Sequence, residues 1–374
     1  MKKKFNSEKK MAKLFVFFTL QFVTLFSVAY SQGNFVNGTL NLQVLQDWGY
    51  DLSTKELNIG FRGIASIQPG TFQNFQNLEK LVLSNNLLHY LPFGLFSNLT
   101  KLKELEIFFN RLENIDDNIF GDLKSLELLD LSNNRLNRTS ANLFSGLENV
   151  KKLILSDNPL LLIENEALIH LTNVNYLDLS FVEKLETINA NTFQGLTELK
   201  YLYLAGASID NIDSNTFDAL TNLLELDLCV NNLEAIETAW FVNLKDLDKL
   251  ALCENVGIDE IPFQAFKDMP ALTFLDLADL NLTKIDKDSF FGLDNLLILD
   301  LYYNNLNTIE DNSFANLVNL ELLVLDVNEL TSIGPNTFVG LANLIDLYIA
   351  DNYFTQIPDN TFQGLSKVKS STYL

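Results

Sequence analysis

The chain has 374 residues but only two cysteines, two histidines, seven prolines and two tryptophans. That scarcity excludes a disulfide-dense scaffold and leaves no Cys/His cluster with metal-ligand spacing. No P-loop and no GxGxxG appears either, so no cofactor is expected. Basic residues are also few. Lys and Arg number 26 against 48 Asp and Glu, a formal net charge of −22. Phosphate contacts need basic patches, so nucleic acid is excluded as a partner. Two readings of the acidity stay open. It attracts a basic protein or peptide, or it keeps a leucine-rich surface soluble.

Long apolar runs are missing beyond the first thirty residues. The basic leader MKKKFNSEKKMAK is followed by an apolar run of 16, Leu14 to Ala29. A membrane span needs roughly 20 residues, so this run is short for one. Ala29-Tyr30-Ser31 gives a small-x-small pattern, and residues 1–31 read as a signal peptide cleaved after Ser31, with an uncleaved anchor as the rival. Removing six lysines and one glutamate (a net +5) takes the mature charge from −22 to −27. The terminal KVKSSTYL carries no hydrophobic tail for a lipid anchor. The expectation is a secreted, extracellular product with no membrane span in the mature chain.

What the sequence has in abundance is one repeated sentence. Leu296–Asn319 reads LLILDLYYNNLNTIEDNSFANLVN, and the next unit reads LELLVLDVNELTSIGPNTFVGLAN. Aligned on L-x-L, residues 54–367 make 13 units, of which eleven have 24 residues. The units starting at Val174 and Leu247 carry one extra residue. The shared pattern is L-x-x-L-x-L-x-x-N-x-L-x-x-I-x-x-x-x-F-x-x-L-x-x.

Alternation in Leu299-Asp300-Leu301 is strand spacing with one face buried. Phe314 and Leu317, at i and i+3, suit a helical or irregular turn on the return path. Asn304 stands where the chain leaves the strand, and its amide can serve turn groups that no ladder reaches. One unit cannot bury its apolar positions alone, so the units are expected to stack.

This pattern resembles the extracellular leucine-rich repeat family in its 24-residue class, over residues 54–367. Only Leu168 departs from phenylalanine at the F position. The resemblance implies an α/β solenoid: a curved horseshoe with a parallel β-sheet on its concave face, like Toll-type receptor ectodomains, slit-like guidance proteins and matrix proteins. It also implies a role in innate immunity, adhesion or development. Members often cap both ends with cysteine clusters, and this chain has none. Residues 32–53 are expected to cover the first rung through Phe35, Leu42, Leu45 and Trp48. Residues 368–374 begin a partial repeat, either a polar closing strand with Ser371 at a leucine position, an open edge that pairs with another copy, or the stub of a truncated gene.

Arg62, Val182, Ala207 and Leu280 replace the asparagine. A local irregularity is expected near residues 180–210, and a bulge on the return loop near Asn255–Ile258.

Residues between the leucines should face outward, on rungs about 4.8 Å apart, an arc of roughly 58 Å for the whole array. Two clusters emerge as candidate ligand-binding surfaces. One combines Tyr176, Asp178, Phe181, Tyr201 and Tyr203, with Asp227 beside it. The other combines Phe274, Asp276, Ile298, Asp300, Tyr303, Leu322 and Tyr348. Aromatic anchors beside carboxylates suit a protein interface, and ordinary cross-strand packing is the competing explanation.

Cys229 and Cys253 both directly follow L-x-L in consecutive units. They are placed to form a disulfide, or they serve as small residues where other units have Gly60, Ser84 or Ala205. Asn37, Asn98, Asn137 and Asn281 head N-x-T sequons and are candidate glycosylation sites, and a glycan on Asn281 would crowd the second cluster. His89 and His170 fall in different units, with no serine, cysteine and carboxylate converging on either, so no catalytic site is expected.

The expected function is recognition of a protein or peptide on the concave face, without catalysis. The alternatives are a matrix or coat component that self-associates through its C-terminal edge, and an inhibitor or decoy.

Overall fold

The structure, a computed structural model, describes residues 38–182, 185, 187–368 and 370–372. The leader, Phe35 and Asn37 lie outside the described residues. Each unit contributes one three-residue strand, and these join in a single parallel sheet of 14 strands. Neighbours pair leucine to leucine: Leu275, Leu299 and Leu323 stand in one register, each fully buried. A slip of one residue would turn that whole row to solvent, so burial fixes the register.

At the first end, Asn41 caps the helix Leu42–Asp47, its Oδ1 accepting from Val44 N at 3.1 Å. Leu40 and Leu45 are buried there, Leu42 and Trp48 pack partly against the core, and the Arg62 guanidinium lies 4.8 Å from the Trp48 ring centroid. The first unit thus uses its asparagine position for cap packing. At the other end, the strand Ser370–Thr372 pairs in parallel with Asp346–Tyr348, opposing Ser371 to Leu347.

Leaving the strand is the difficult step. In every unit one residue, from Phe61 to Asp351, turns the chain with φ between 50° and 65°. Apart from Gly206 these are not glycines, and a side chain in this left-handed region costs about 1 kcal/mol or more. The asparagine that follows secures the turn. Asn134 accepts from Leu112 N at 3.1 Å, one rung back, and donates to Ile107 O and Leu131 O, both at 3.0 Å. The same bonds recur at Asn86, Asn110, Asn158, Asn231, Asn255, Asn304, Asn328 and Asn352.

Val182, Ala207 and Leu280 interrupt this column without breaking the sheet, and all three are buried. The N–H that each missing amide would have received finds a backbone carbonyl instead. Leu160 N donates to Asn158 O, Leu185 N to Ala207 O and Ile258 N to Asn255 O, at 2.8, 3.1 and 3.1 Å. The irregularity expected near 180–210 is therefore one of side-chain capping, and the strands Tyr176–Asp178 and Tyr201–Tyr203 keep full register.

The two extra residues fall just after the asparagine position, in the units that precede Ala207 and Leu280. The bulge expected at 255–258 projects outward: Val256 is 61% exposed and Gly257 is exposed, between the fully buried Asn255 and Ile258. Gly257 makes it possible, since a Cβ there would come 2.7 Å from Leu233 O.

The return arm is a run of turns, with a short 3-10 helix at Thr238–Phe241 and pairs of two-residue strands such as Lys284–Ile285 with Thr308–Ile309. Phenylalanines stack along it: Phe290–Phe314 at 5.8 Å, Phe314–Phe338 at 6.3 Å and Phe338–Phe362 at 5.7 Å between centroids. Strands repeat every 4.8 Å or so. Wider spacing behind than in front bends the stack with the sheet on its inner side. Leu168 is equally buried at its rung but lacks a ring to continue the stack.

Removing one buried amide should be severe. Asn231→Ala would orphan the Ala207 and Ile209 N–H groups and the Leu204 carbonyl, and would take one of two donors from Leu228 O and from Cys229 O. The expected loss is about 3 kcal/mol or more, measured by urea unfolding, against less than about 0.5 kcal/mol for exposed Asn137→Ala.

Candidate functional site

The inner face is a plane of side chains standing on either side of the buried strand leucine. Its first third is electrically satisfied. Lys80 reaches both Glu104 and Glu106 at 2.6 Å. Along the sheet margin Glu79 sits between Lys55 and Lys103 at 3.0 and 2.7 Å, which holds its carboxyl down at about 2, and Lys151 meets Glu127 at 2.8 Å.

The first cluster begins where these pairs end. Register sets Tyr176 beside Tyr201, and Asp178 beside Tyr203. The Tyr176 ring lies 5.2 Å from Tyr203 and 6.3 Å from Tyr201. Lys152 Nζ stands 3.9 Å from the Tyr176 centroid, and Tyr203 Oη donates to Glu225 Oε1 at 3.1 Å. Lys249 approaches the same glutamate at 3.4 Å. Burial, then the nearby carboxylates Asp178 for Tyr176 and Glu225 for Tyr203, push both phenols up. They remain neutral donors at any working pH. The three tyrosines are half-buried, while Phe181 on the flank is 52% exposed. Gly206 makes room for it, because a Cβ there would lie 2.6 Å from Phe181 Cδ1.

The second cluster does not join the first. Two strands, Glu225–Asp227 and Lys249–Ala251, lie between them. Phe274, Ile298 and Leu322 form one half-buried row in register, and Asp276, Asp300, Val324 and Tyr348 form the next. Tyr303 is more open, at 37%, and borders a flank cleft of about 240 Å³ with Val327, Asp351 and Tyr353. The clusters read from sequence as exposed are thus mostly half-buried. Adjacent strands are too close for their side chains to stand clear of one another.

The aspartates between the leucines have a second occupation. One oxygen of each accepts the backbone N–H two residues on: Asp130 from Ser132, Asp178 from Ser180, Asp227 from Cys229, Asp276 from Ala278 and Asp300 from Tyr302, at 2.8–3.0 Å. Asn58 does the same for Gly60. Burial raises Asp130 and Asp227 and pushes Asp276 up to about 6. Of these, Asp178, Asp227, Asp276 and Asp300 are the candidate ligand contacts expected from sequence, and the turn-acceptor role is additional to that expectation. Lys152, Glu225 and Lys249 are not among the residues expected from sequence, although Lys152 stands 24 residues before Tyr176, and Glu225 and Lys249 stand 24 and 48 residues after Tyr201.

Cys229 and Cys253 are bonded, with Cα atoms 4.5 Å apart on adjacent rungs. The sequon asparagines Asn98, Asn137 and Asn281 are exposed, but Thr139 of the Asn137 sequon is fully buried. Asn281 donates to Val256 O and accepts from Asn305 Nδ2 at 3.3 Å, and Asn305 borders the same cleft as Tyr303. His89 is exposed and His170 half-buried on separate rungs. Among the described residues, no helix is long and apolar enough to cross a membrane.

The family profile described as leucine rich repeat matches in overlapping segments from residue 53 to 370, beginning 53–112, 100–160 and 148–209. The chain belongs to the leucine-rich repeat family. No curated protein matches it. Among solved leucine-rich repeat structures, an internalin from Listeria monocytogenes is 24% identical with a TM-score of 0.65, over 90% of this chain and 89% of that one. Drosophila Toll, in its complex with Spätzle, is 21% identical with a TM-score of 0.68, over 89% of this chain and 48% of that one. The plant peptide hormone receptor RGFR1, in complex with RGF2, is 24% identical with a TM-score of 0.63, over 82% and 49%. The leucine-rich repeat chain therefore spans about half the length of these two receptor chains. At such identities the likeness is one of fold.

The buried carboxylates carry a pH signature. Asp130 has a raised native pKa, so its contribution to stability is fully present below the unfolded value of 3.8 and is lost as pH rises through the native one. Asp130→Asn keeps an acceptor for Ser132, as Asn58 does for Gly60, and removes the charge. Stability of the variant, followed by thermal unfolding from pH 3 to 7, should gain on the parent as pH rises. An unchanged difference across that range would contradict the assignment.

Proposed function

We propose that this leucine-rich repeat chain is a secreted, non-enzymatic recognition protein that binds a protein or peptide on the inner face of its sheet. The observation that carries this reading is the tyrosine cluster at Tyr176, Tyr201 and Tyr203, framed by Lys152, Asp178, Glu225 and Asp227. Half-buried aromatics offer apolar area at small entropy loss, and their hydroxyls and the flanking charges offer polar contacts, which is the make-up of an interface hot spot. The second cluster is a further contact surface for a ligand long enough to cross the two intervening rungs.

The surplus of carboxylates favours a basic ligand. Toll with Spätzle, and RGFR1 with RGF2, are solved examples of leucine-rich repeat proteins in complexes. They support a place for this chain in innate immunity, adhesion or development. The paired cysteines fit an oxidising compartment, in line with the leader at residues 1–31.

The test is partner capture from extracellular fluid, followed by affinity measurement. Tyr176→Ala with Tyr201→Ala should weaken a true partner about 30-fold or more, the effect of losing a hot-spot anchor. Asp178→Asn with Asp227→Asn should weaken a basic ligand while keeping both turn acceptors. Unchanged affinity in the tyrosine variant would move the site off this face.

A further inference from the structure

Cys229, Cys253 and Asp276 come from three consecutive rungs, and their two sulfurs and a carboxylate oxygen all lie within 4.8 Å of one another. Cys229 is buried, and the other two are half-buried on the inner face. Asp276 has one oxygen engaged by Ala278 N, which fixes the carboxylate in place. Asp227, Glu254 and Asp300 surround it closely enough to act on it electrostatically, so the local field is strongly negative. The rungs hold the two cysteine Cα atoms 4.5 Å apart. Tetrahedral zinc, with Zn–S of about 2.3 Å, needs sulfurs roughly 3.8 Å apart. Rotation about the Cα–Cβ bonds supplies that separation without moving the backbone.

We propose that Cys229, Cys253 and Asp276 form a binding site for a zinc-class divalent cation whenever the disulfide is open. Opening needs an external dithiol. One of its thiolates attacks a cysteine sulfur, the S–S bond breaks to a mixed disulfide, and its second thiol displaces the remaining cysteine. The dithiol leaves oxidised, and both cysteines are left as thiols. Binding the cation then releases the two thiol protons to solvent, giving two thiolates and one carboxylate as ligands and leaving a fourth position for water. The same three side chains thus serve either as a covalent clasp between two rungs or as a metal clasp across three. Oxygen donors alone would suit calcium or magnesium, whereas two thiolates select the softer metals.

The test is cobalt titration of the full chain after reduction, with circular dichroism to show that the fold persists. The reduced chain should take up one cobalt ion with a thiolate-to-cobalt charge-transfer band, and zinc should displace it. The oxidised chain should show no band. Asp276→Asn keeps the turn acceptor, as Asn58 does, and should weaken cobalt by at least the roughly tenfold that even outer-shell changes cost. A folded, reduced chain with no band would overturn the proposal. So would equal cobalt affinity in Asp276→Asn, since the carboxylate would then not be a ligand.

Discussion

The structure depends on what happens to backbone groups at the turn out of each strand. There the chain adopts a left-handed residue, abandons the sheet ladder, and carries N–H and C=O groups into a region sealed from water. A buried unpaired peptide group costs about 1–3 kcal/mol, and each rung creates several. Asparagine suits the position because one short planar amide accepts and donates at once. Aspartate could not donate, and leucine could do neither. The amide bonds both its own turn and the rung behind it, so each coil is completed by its neighbour. Cooperativity between repeats follows directly from this geometry.

Much of this was legible in the residues. Spaced leucines gave the strands, their register and the stacking, and the asparagine and phenylalanine columns marked the front and back of each coil. The left-handed residue was not legible, because Phe109, Val230, Glu254 and Tyr303 share no chemistry that announces positive φ. Only position relative to the asparagine identifies it. A second asparagine column runs along the return arm. Asn149, Asn173, Asn222, Asn295, Asn319 and Asn343 each donate to a carbonyl 25 residues earlier, at 2.7–2.9 Å. The capping helix Leu42–Asp47 is too short to show a helical period.

The candidate site was half legible for a physical reason. Sequence shows which side chains occupy the inner face, but not how much of each is already committed. Asp178, Asp227, Asp276 and Asp300 each spend one oxygen on a turn, so part of every carboxylate is committed within the fold. These carboxylates do structural work and contribute negative potential from one set of atoms. The raised values of Asp227 and Asp276 express the tension between those roles: the fold holds a charge where water cannot fully solvate it. A cation arriving on the face would relieve that tension, and so would meet a larger gain than the same cation meeting an exposed aspartate.

Rigidity joins these features. The Cys229–Cys253 bond ties together the two rungs that separate the tyrosine cluster from the apolar row of Phe274, Ile298 and Leu322. The sheet ladder already fixes their spacing, so the bond adds little to the geometry of the ground state. It acts on local opening, because the rungs at residues 225–253 cannot part without carrying each other. Both units here lie next to an interruption in the asparagine column, at Ala207 before and Leu280 after. A covalent link placed between two rungs that are flanked by those interruptions holds the separation between clusters constant. Under the proposed function, a ligand touching both would bind a surface already ordered before it arrives, and would lose less entropy in doing so.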